Sequence, residues 1–416
     1  MPRAVCRASF FAEDGSVFFK EQYNQGFRSA LTTHFAGYLH FAPRIVAAFC
    51  ELFPLEYAPT AYALVSLLIA AAVFTFFFAP GFRPVIASDS LRAVVVIAFT
   101  MMPNAEALLK LAYINWYMVI FLALTTLFTL PKRPLALWLL FVPAGIAAWS
   151  SPVAVVCVPV ILLRAWHATR MERVWWLALA MAVIGYPFTE QLPPTEIGTF
   201  VHNNTEWILA AICAFGYRVL CFFFLGDTLC FPREGTGWRI VLAVASQLAV
   251  ILAAGTVLAV RKTKIKWMPL AVLYLIVSTS ATFLLRQESW HLFQDWNIRS
   301  WDGNGRFFYC SMILLCVLCG MIYELVLQPR VTAGIHRRKM AIFLLLVWLN
   351  LHAMGTKMFQ WTAPVEWSET AREIRAAEAR VRQTGGSETV QVPTAAWGFD
   401  FDLTVTPASA RRDGLF

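Results

Sequence analysis

The stretch "APTAYALVSLLIAAAVFTFFFA" at 58–79 decides the fold class. It carries no charged residue and is as long as the roughly 20 residues a helix needs to cross a bilayer. Nine more apolar runs of helical length follow, at about 91–104, 113–130, 134–149, 152–166, 174–188, 238–260, 267–285, 307–327 and 340–359. Several are shorter than a straight crossing requires, so their boundaries are soft. Composition agrees: 59% of the 416 residues are hydrophobic and 14% charged, with a mean hydropathy of +0.61. Soluble domains carry roughly 25% charged residues. The reading is a mainly α, polytopic membrane protein with about ten transmembrane helices over 58–359.

The net charge of +9 does not point to nucleic acid, because the basic residues sit in short clusters between apolar runs. "PKRP" at 131–134, "RAWHATRMER" at 164–173, "RKTKIK" at 261–266 and "RRK" at 337–339 read as cytoplasmic loops. Residues 1–57, 104–112, 189–237, 286–306 and 360–416 then fall on the outer face. The apolar segment 207–226 would invert every later cluster if it crossed, and Arg218 sits in its middle. It reads as a re-entrant or interfacial helix on the outer side, with an ordinary span as the alternative. Cysteines such as Cys157, Cys310 and Cys316 lie inside apolar runs, where they act as small hydrophobes.

The two ends differ from the middle. Residues 1–57 form an outer loop, yet no signal segment or helix precedes the acidic pair Glu13–Asp14. The expectation is a start internal to a longer protein with a helix upstream; the alternative is post-translational insertion with the N-terminus outside. At the other end, residues 360–416 read as a small α/β appendage on the outer face. Pro364 opens its helix and Gly385–Gly386 closes it. In "WGFDFDLTV", Trp397, Phe399, Phe401, Leu403 and Val405 alternate as in a half-buried strand.

Potential chemistry gathers in the outer loops. "FFAEDGSVFFK" at 10–20 sets Glu13 and Asp14 among phenylalanines. In "FAGYLHFAPRIVAAFCELFP" at 35–54, His40 and Arg44 share a face if both are helical, although Pro43 between them suits a helix start. Ile45, Val46, Phe49, Leu52 and Phe53 make an amphipathic stripe suited to a membrane surface. The two basic groups could receive a lipid phosphate, or simply snorkel from an interfacial helix. "PNAEALLKLAYINWY" at 103–117 brings Asn104, Glu106, Lys110, Asn115 and Trp116 to the outer rim, as a functional cluster or as a turn with a Glu106–Lys110 pair. The loop 286–309 interleaves Trp290, Trp296 and Trp301 with acids and arginines, and Arg306 directly precedes an apolar run. Those indoles suit sugar stacking, or an aromatic belt at the interface. No nucleotide-binding loop, zinc spacing or hydrolase elbow is present, and "NNT" at 203–205 is a weak glycosylation sequon.

Taken together, "EDG…GYLH…PR", "PNAEALLKLAYINWY", "SSPVAVVCVPV" at 151–160 and "GNGRFFY" at 303–309 resemble the GT-C superfamily of bacterial membrane glycosyltransferases. The resemblance covers most of the membrane region. It implies an enzyme of the bacterial inner membrane with its active site on the outer, periplasmic face. Such an enzyme moves a sugar from a polyprenyl-phosphate donor to a cell-envelope glycan, lipid or protein. It assigns the base to Asp14, with Glu13 as partner or alternate. Arg44, Arg306 and His40 would meet the donor phosphate. Glu106, with Asn104 and Asn115 beside it, would serve the acceptor or act as a second acid, and Trp290, Trp296 and Trp301 would stack on sugar. No cofactor is implied with certainty; use of a divalent metal varies in the family and is left open. The family places its acidic loop after a first transmembrane helix, and none precedes Glu13 here. The rival function is a transporter or flippase of polyprenyl-linked sugars. That would call for related halves and polar residues at mid-membrane, whereas the polar residues here gather in outer loops.

Overall fold

The computed structural model describes residues 9–101, 109–185, 271–278, 309–324, 366–395 and 400–410. They are mainly helical, with one two-stranded sheet near the C-terminus. An N-terminal hairpin of short helices comes first: a π-helix at Asp14–Phe19, α1 at Lys20–Gln25 and α2 at Phe27–Thr32. Next are α3 at Phe41–Cys50, α4 at Ala58–Phe76 and α5 at Asp89–Met101. A 3-10 turn at Leu111–Tyr113 leads into α6 at Ile114–Leu127, followed by α7 at Pro134–Ala148. A 3-10 stretch at Pro152–Cys157 runs into α8 at Val158–His167, and α9 spans Arg170–Gly185. Residues 271–278 are helical, and α10 is Tyr309–Ile322.

The six helical stretches from α4 to α9 fall on the first six apolar runs, and 271–278 and α10 fall on two later ones. The runs at 238–260 and 340–359, the segment 207–226 and the sequon lie outside the described residues. Helix α6 is central, buried at every position except Phe121. Helices α4, α7 and α10 pack around it. Helix α9 shows the opposite pattern. Trp176, Leu179, Ala180 and Val183 turn inward, while Met171, Val174, Leu177, Met181 and Ile184 form an exposed apolar row. Leu135, Trp138, Leu139 and Val142 of α7 are exposed as well. Among the described residues, Leu55–Phe76 is the one helix long and apolar enough to cross a membrane; the other apolar helices are shorter.

The C-terminal appendage consists of α11 at Trp367–Thr384, β1 at Glu388–Val392, β2 at Phe401–Val405 and α12 at Pro407–Ala410. Gly385 ends α11 in the left-handed region at φ 71°, its N–H returning to the Val381 carbonyl at 2.9 Å. The strands are antiparallel, with Glu388 opposite Val405 and Val392 opposite Phe401. Phe401, Leu403 and Val405 are buried, as the alternation in the sequence predicts, while residues 396–399 are outside the description. Strand β1 went unforeseen, because "ETVQV" carries too few apolar residues to stand out.

The appendage packs on the N-terminal segment. Ala395 N–H bonds the Phe10 carbonyl at 2.8 Å, and the Phe10 and Trp367 rings meet edge to face at 4.9 Å. Trp367 Nε1 donates to the Leu55 carbonyl at 2.8 Å. Gly15 gives the closest approach: a Cβ there would lie 2.8 Å from Phe401 Cε1 and 2.9 Å from Phe10 Cβ. Two distant parts of the sequence thus share one core around the acidic motif.

Candidate functional site

The acidic motif enters through backbone strain. Ala12 stands in the left-handed region at φ 37°, and the π-helix starts two residues later. Ala36 and His40, on the approach to Arg44, are also left-handed at φ 51° and 50°. Each such residue costs roughly 1–3 kcal/mol, and such strain persists only where surrounding packing over-determines it. All three lie in the segment that carries the predicted site.

Asp14 points inward and is 3% exposed. Leu111 N–H donates to its Oδ2 at 3.1 Å, and Ala112 N–H donates to its Oδ1 at 2.7 Å. These amides open the 3-10 turn that leads into α6, so Asp14 caps the central helix from 97 residues away. Burial pushes its carboxyl from 3.8 up to about 7, against the downward pull of the two amides and the Lys110 ammonium. Lys110 is itself buried and lies 2.9 Å from the centre of the Phe11 ring. Glu13 differs: it is half-buried and takes part in no hydrogen bond or ion pair among the described residues.

Arg44 corrects two expectations at once. Helix α3 starts at Phe41, with His40 as its left-handed cap residue and Pro43 in its first turn, so His40 and Arg44 do not share a helical face. Neither residue snorkels; both are buried. The Arg44 guanidinium pairs with Glu21 at 2.5 Å, donates from Nε to the Leu39 carbonyl at 3.0 Å and lies 5.7 Å from the Phe18 ring centre. Its Nη2 is buried without a hydrogen-bond partner among the described residues. An orphaned buried donor costs roughly 1–3 kcal/mol, a cost that an anion at that point would remove.

His40 sits in an aromatic box. Its ring stacks on Tyr38 at 3.7 Å and meets Phe18 at 5.6 Å and Phe35 at 5.5 Å. Asn115 is buried at the start of α6 and donates from Nδ2 to Tyr38 Oη at 3.3 Å, which ties the box to the central helix. The first turn of α3 is anchored by Ala42 N–H to Ser150 Oγ at 3.0 Å, from just beyond the end of α7. The apolar stripe is only partly one surface. Val46 is buried, while Phe49, Leu52 and Phe53 are exposed, the last two beyond the helix end.

The π-helix, α3 and the Leu111–Tyr113 turn pack against one another. Asp14, Arg44, His40 and Asn115 therefore lie on or beside elements that pack against one another. Asn104, Glu106, Trp290, Trp296, Trp301 and Arg306 lie outside the described residues. Among the described residues, no three His, Cys, Asp or Glu side chains converge as metal ligands. Glu21 as the partner of Arg44 was missed: an acid 23 residues away carries no local signal of that pairing. The amides of Leu111 and Ala112 were missed because backbone donors have no letter in the sequence. Comparison of the chain with known protein families, with curated proteins and with solved structures gave no match.

Proposed function

We propose that this protein is a polytopic membrane glycosyltransferase of the GT-C type. It would transfer a sugar from a polyprenyl-phosphate donor to a cell-envelope acceptor on the outer face of the bacterial inner membrane. The observation that carries the reading is a buried carboxyl, Asp14, with its pKa near 7, on an element packed against the helix of Arg44, a buried arginine with a donor unsatisfied among the described residues. The membrane part is supported by the apolar helix Leu55–Phe76 and by the exposed rows on α7 and α9. Water-exposed surfaces of that kind are disfavoured; lipid-facing ones are expected.

In this chemistry the acceptor hydroxyl gives its proton to Asp14 while its oxygen bonds to the anomeric carbon. The bond from that carbon to the phosphate oxygen breaks, and the lipid phosphate leaves with the electron pair. Arg44 compensates the charge on the departing phosphate through Nη2. His40 and Asn115, joined through Tyr38, hold the segment that presents Arg44. Arg306, Glu106, Asn104 and the tryptophans Trp290, Trp296 and Trp301 are proposed to complete the donor and acceptor sides.

A second reading rests on the hydrogen bonds of Asp14. Both of its oxygens serve the first turn leading to α6, so Asp14 would position the loop and Glu13, with no hydrogen bond or ion pair among the described residues, would take the proton. One experiment separates the two. Purified protein is incubated with radiolabelled polyprenyl-phosphate sugars, and free lipid phosphate is measured. Asp14→Asn abolishes release while Glu13→Gln retains it under the first reading; the second gives loss in Glu13→Gln. Absence of release by the wild type with every donor offered, together with donor movement across sealed vesicles, would favour the transporter.

A further inference from the structure

A second recognition site lies where the N-terminal hairpin, the end of α3 and the appendage meet. A cavity of about 80 Å³ opens there. The rings of Phe19, Tyr23 and Tyr62 form its walls, and its polar lining includes Gln22, Glu51 and Glu378, with no lysine, arginine or histidine among the described residues. We propose that this cavity binds the ammonium group of an aminated lipid head group. The inference rests on the membrane reading above, but not on the transfer chemistry.

Charge is the first argument. Glu378 is matched: Tyr23 Oη donates to it at 2.6 Å, and Arg375 and Arg382 lie at 3.2 Å and 3.9 Å. Glu51 receives the neutral amide of Gln22 and forms no ion pair among the described residues. One carboxylate of the lining therefore lacks a countercharge among the described residues. That repels phosphates and carboxylates and attracts a cation, and ring faces add cation–π attraction for an ammonium.

Size is the second argument. The cavity, of about 80 Å³, has room for an ammonium with its adjoining methylenes.

Location is the third. Leu55 and Ala58 line the cavity and open the helix Leu55–Phe76, the candidate membrane crossing. Phe49, Leu52, Phe53 and Tyr57 stand exposed beside it. With that helix in a bilayer, these side chains enter the acyl boundary and the cavity mouth lies at head-group depth. Arg375, which is not part of the lining, pairs with Glu56 at 3.5 Å as well as with Glu378 of the lining.

The test uses the full chain purified in detergent. It is titrated separately with dihexanoyl-phosphatidylethanolamine, dihexanoyl-phosphatidylglycerol and methyl glucoside, and the thermal unfolding midpoint is followed. The ethanolamine lipid should raise the midpoint saturably, and the other two should not. Glu51→Gln should weaken that effect about tenfold, and Glu51→Asp, which keeps the charge, should restore most of it. An equal response to the glycerol lipid or the glucoside overturns the proposal. So does an unchanged titration in Glu51→Gln. Fractionation is scored separately: a chain that leaves membranes without detergent overturns the membrane reading itself, whereas a membrane-bound chain with no ethanolamine preference overturns only the head-group site.

Discussion

At the scale of residues, Asp14 couples stability and proposed activity through one proton. Its carboxyl is pushed from 3.8 up to about 7, chiefly by burial. The folded chain therefore holds this proton more tightly than the unfolded chain. The contribution to stability is complete below the ordinary carboxylate value and is lost as pH rises from about 4 to about 7. About three pH units at about 1.4 kcal/mol each make that loss roughly 4 kcal/mol. The unfolding midpoint of purified protein should fall across this window, and Asp14→Asn should flatten the fall. Lipid-phosphate release should run the other way, rising through an inflection near 7 as the base becomes free. Lys110 pulls the Asp14 value down. Lys110→Met should therefore move the inflection of the rate profile to higher pH; an unmoved inflection would assign the titration to another group. The acidic pair was legible in the sequence as a candidate. Which acid turns inward was not, because that depends on amides at Leu111 and Ala112.

At the scale of elements, the contact between the π-helix and β2 is the point most sensitive to volume. The absence of a side chain at Gly15 lets Phe401 and Phe10 close over the acidic segment. Gly15→Val forces those rings apart and should cost about 1–3 kcal/mol. Limited proteolysis checks it: cleavage between the appendage and the preceding helices should quicken in the variant, with lipid-phosphate release falling in parallel. Helix α11 was readable from its closing glycines, and β2 from strict alternation, while Pro364 lies outside the described residues. Helix α3 was only half readable. Its apolar spacing suggested a surface helix, yet its core-facing side includes Arg44, whose burial depends on Glu21 and the Leu39 carbonyl.

At the scale of the whole molecule, the exposed rows on α7 and α9 give the membrane reading a direct test. In lipid nanodiscs, Val174→Cys and Met181→Cys should resist a membrane-impermeant maleimide, and Arg372→Cys in α11 should label quickly. Rapid labelling at Val174 and Met181 would place α9 in water and overturn the reading. A reporter fused after Phe416 should report the outer side of the membrane, on which the alternation of loops depends.

Local properties were determined by the sequence alone. Apolar run length set the helices, alternation set β2, and glycines and prolines marked ends, because each depends on neighbours a few residues apart. The site was decided only by tertiary structure. Desolvation of Asp14, its capping of the turn before α6, the Arg44–Glu21 pair and the closure of the appendage over Gly15 all join residues far apart in the chain. Electrostatic character comes from what surrounds a group after folding, and no local pattern of residues records that.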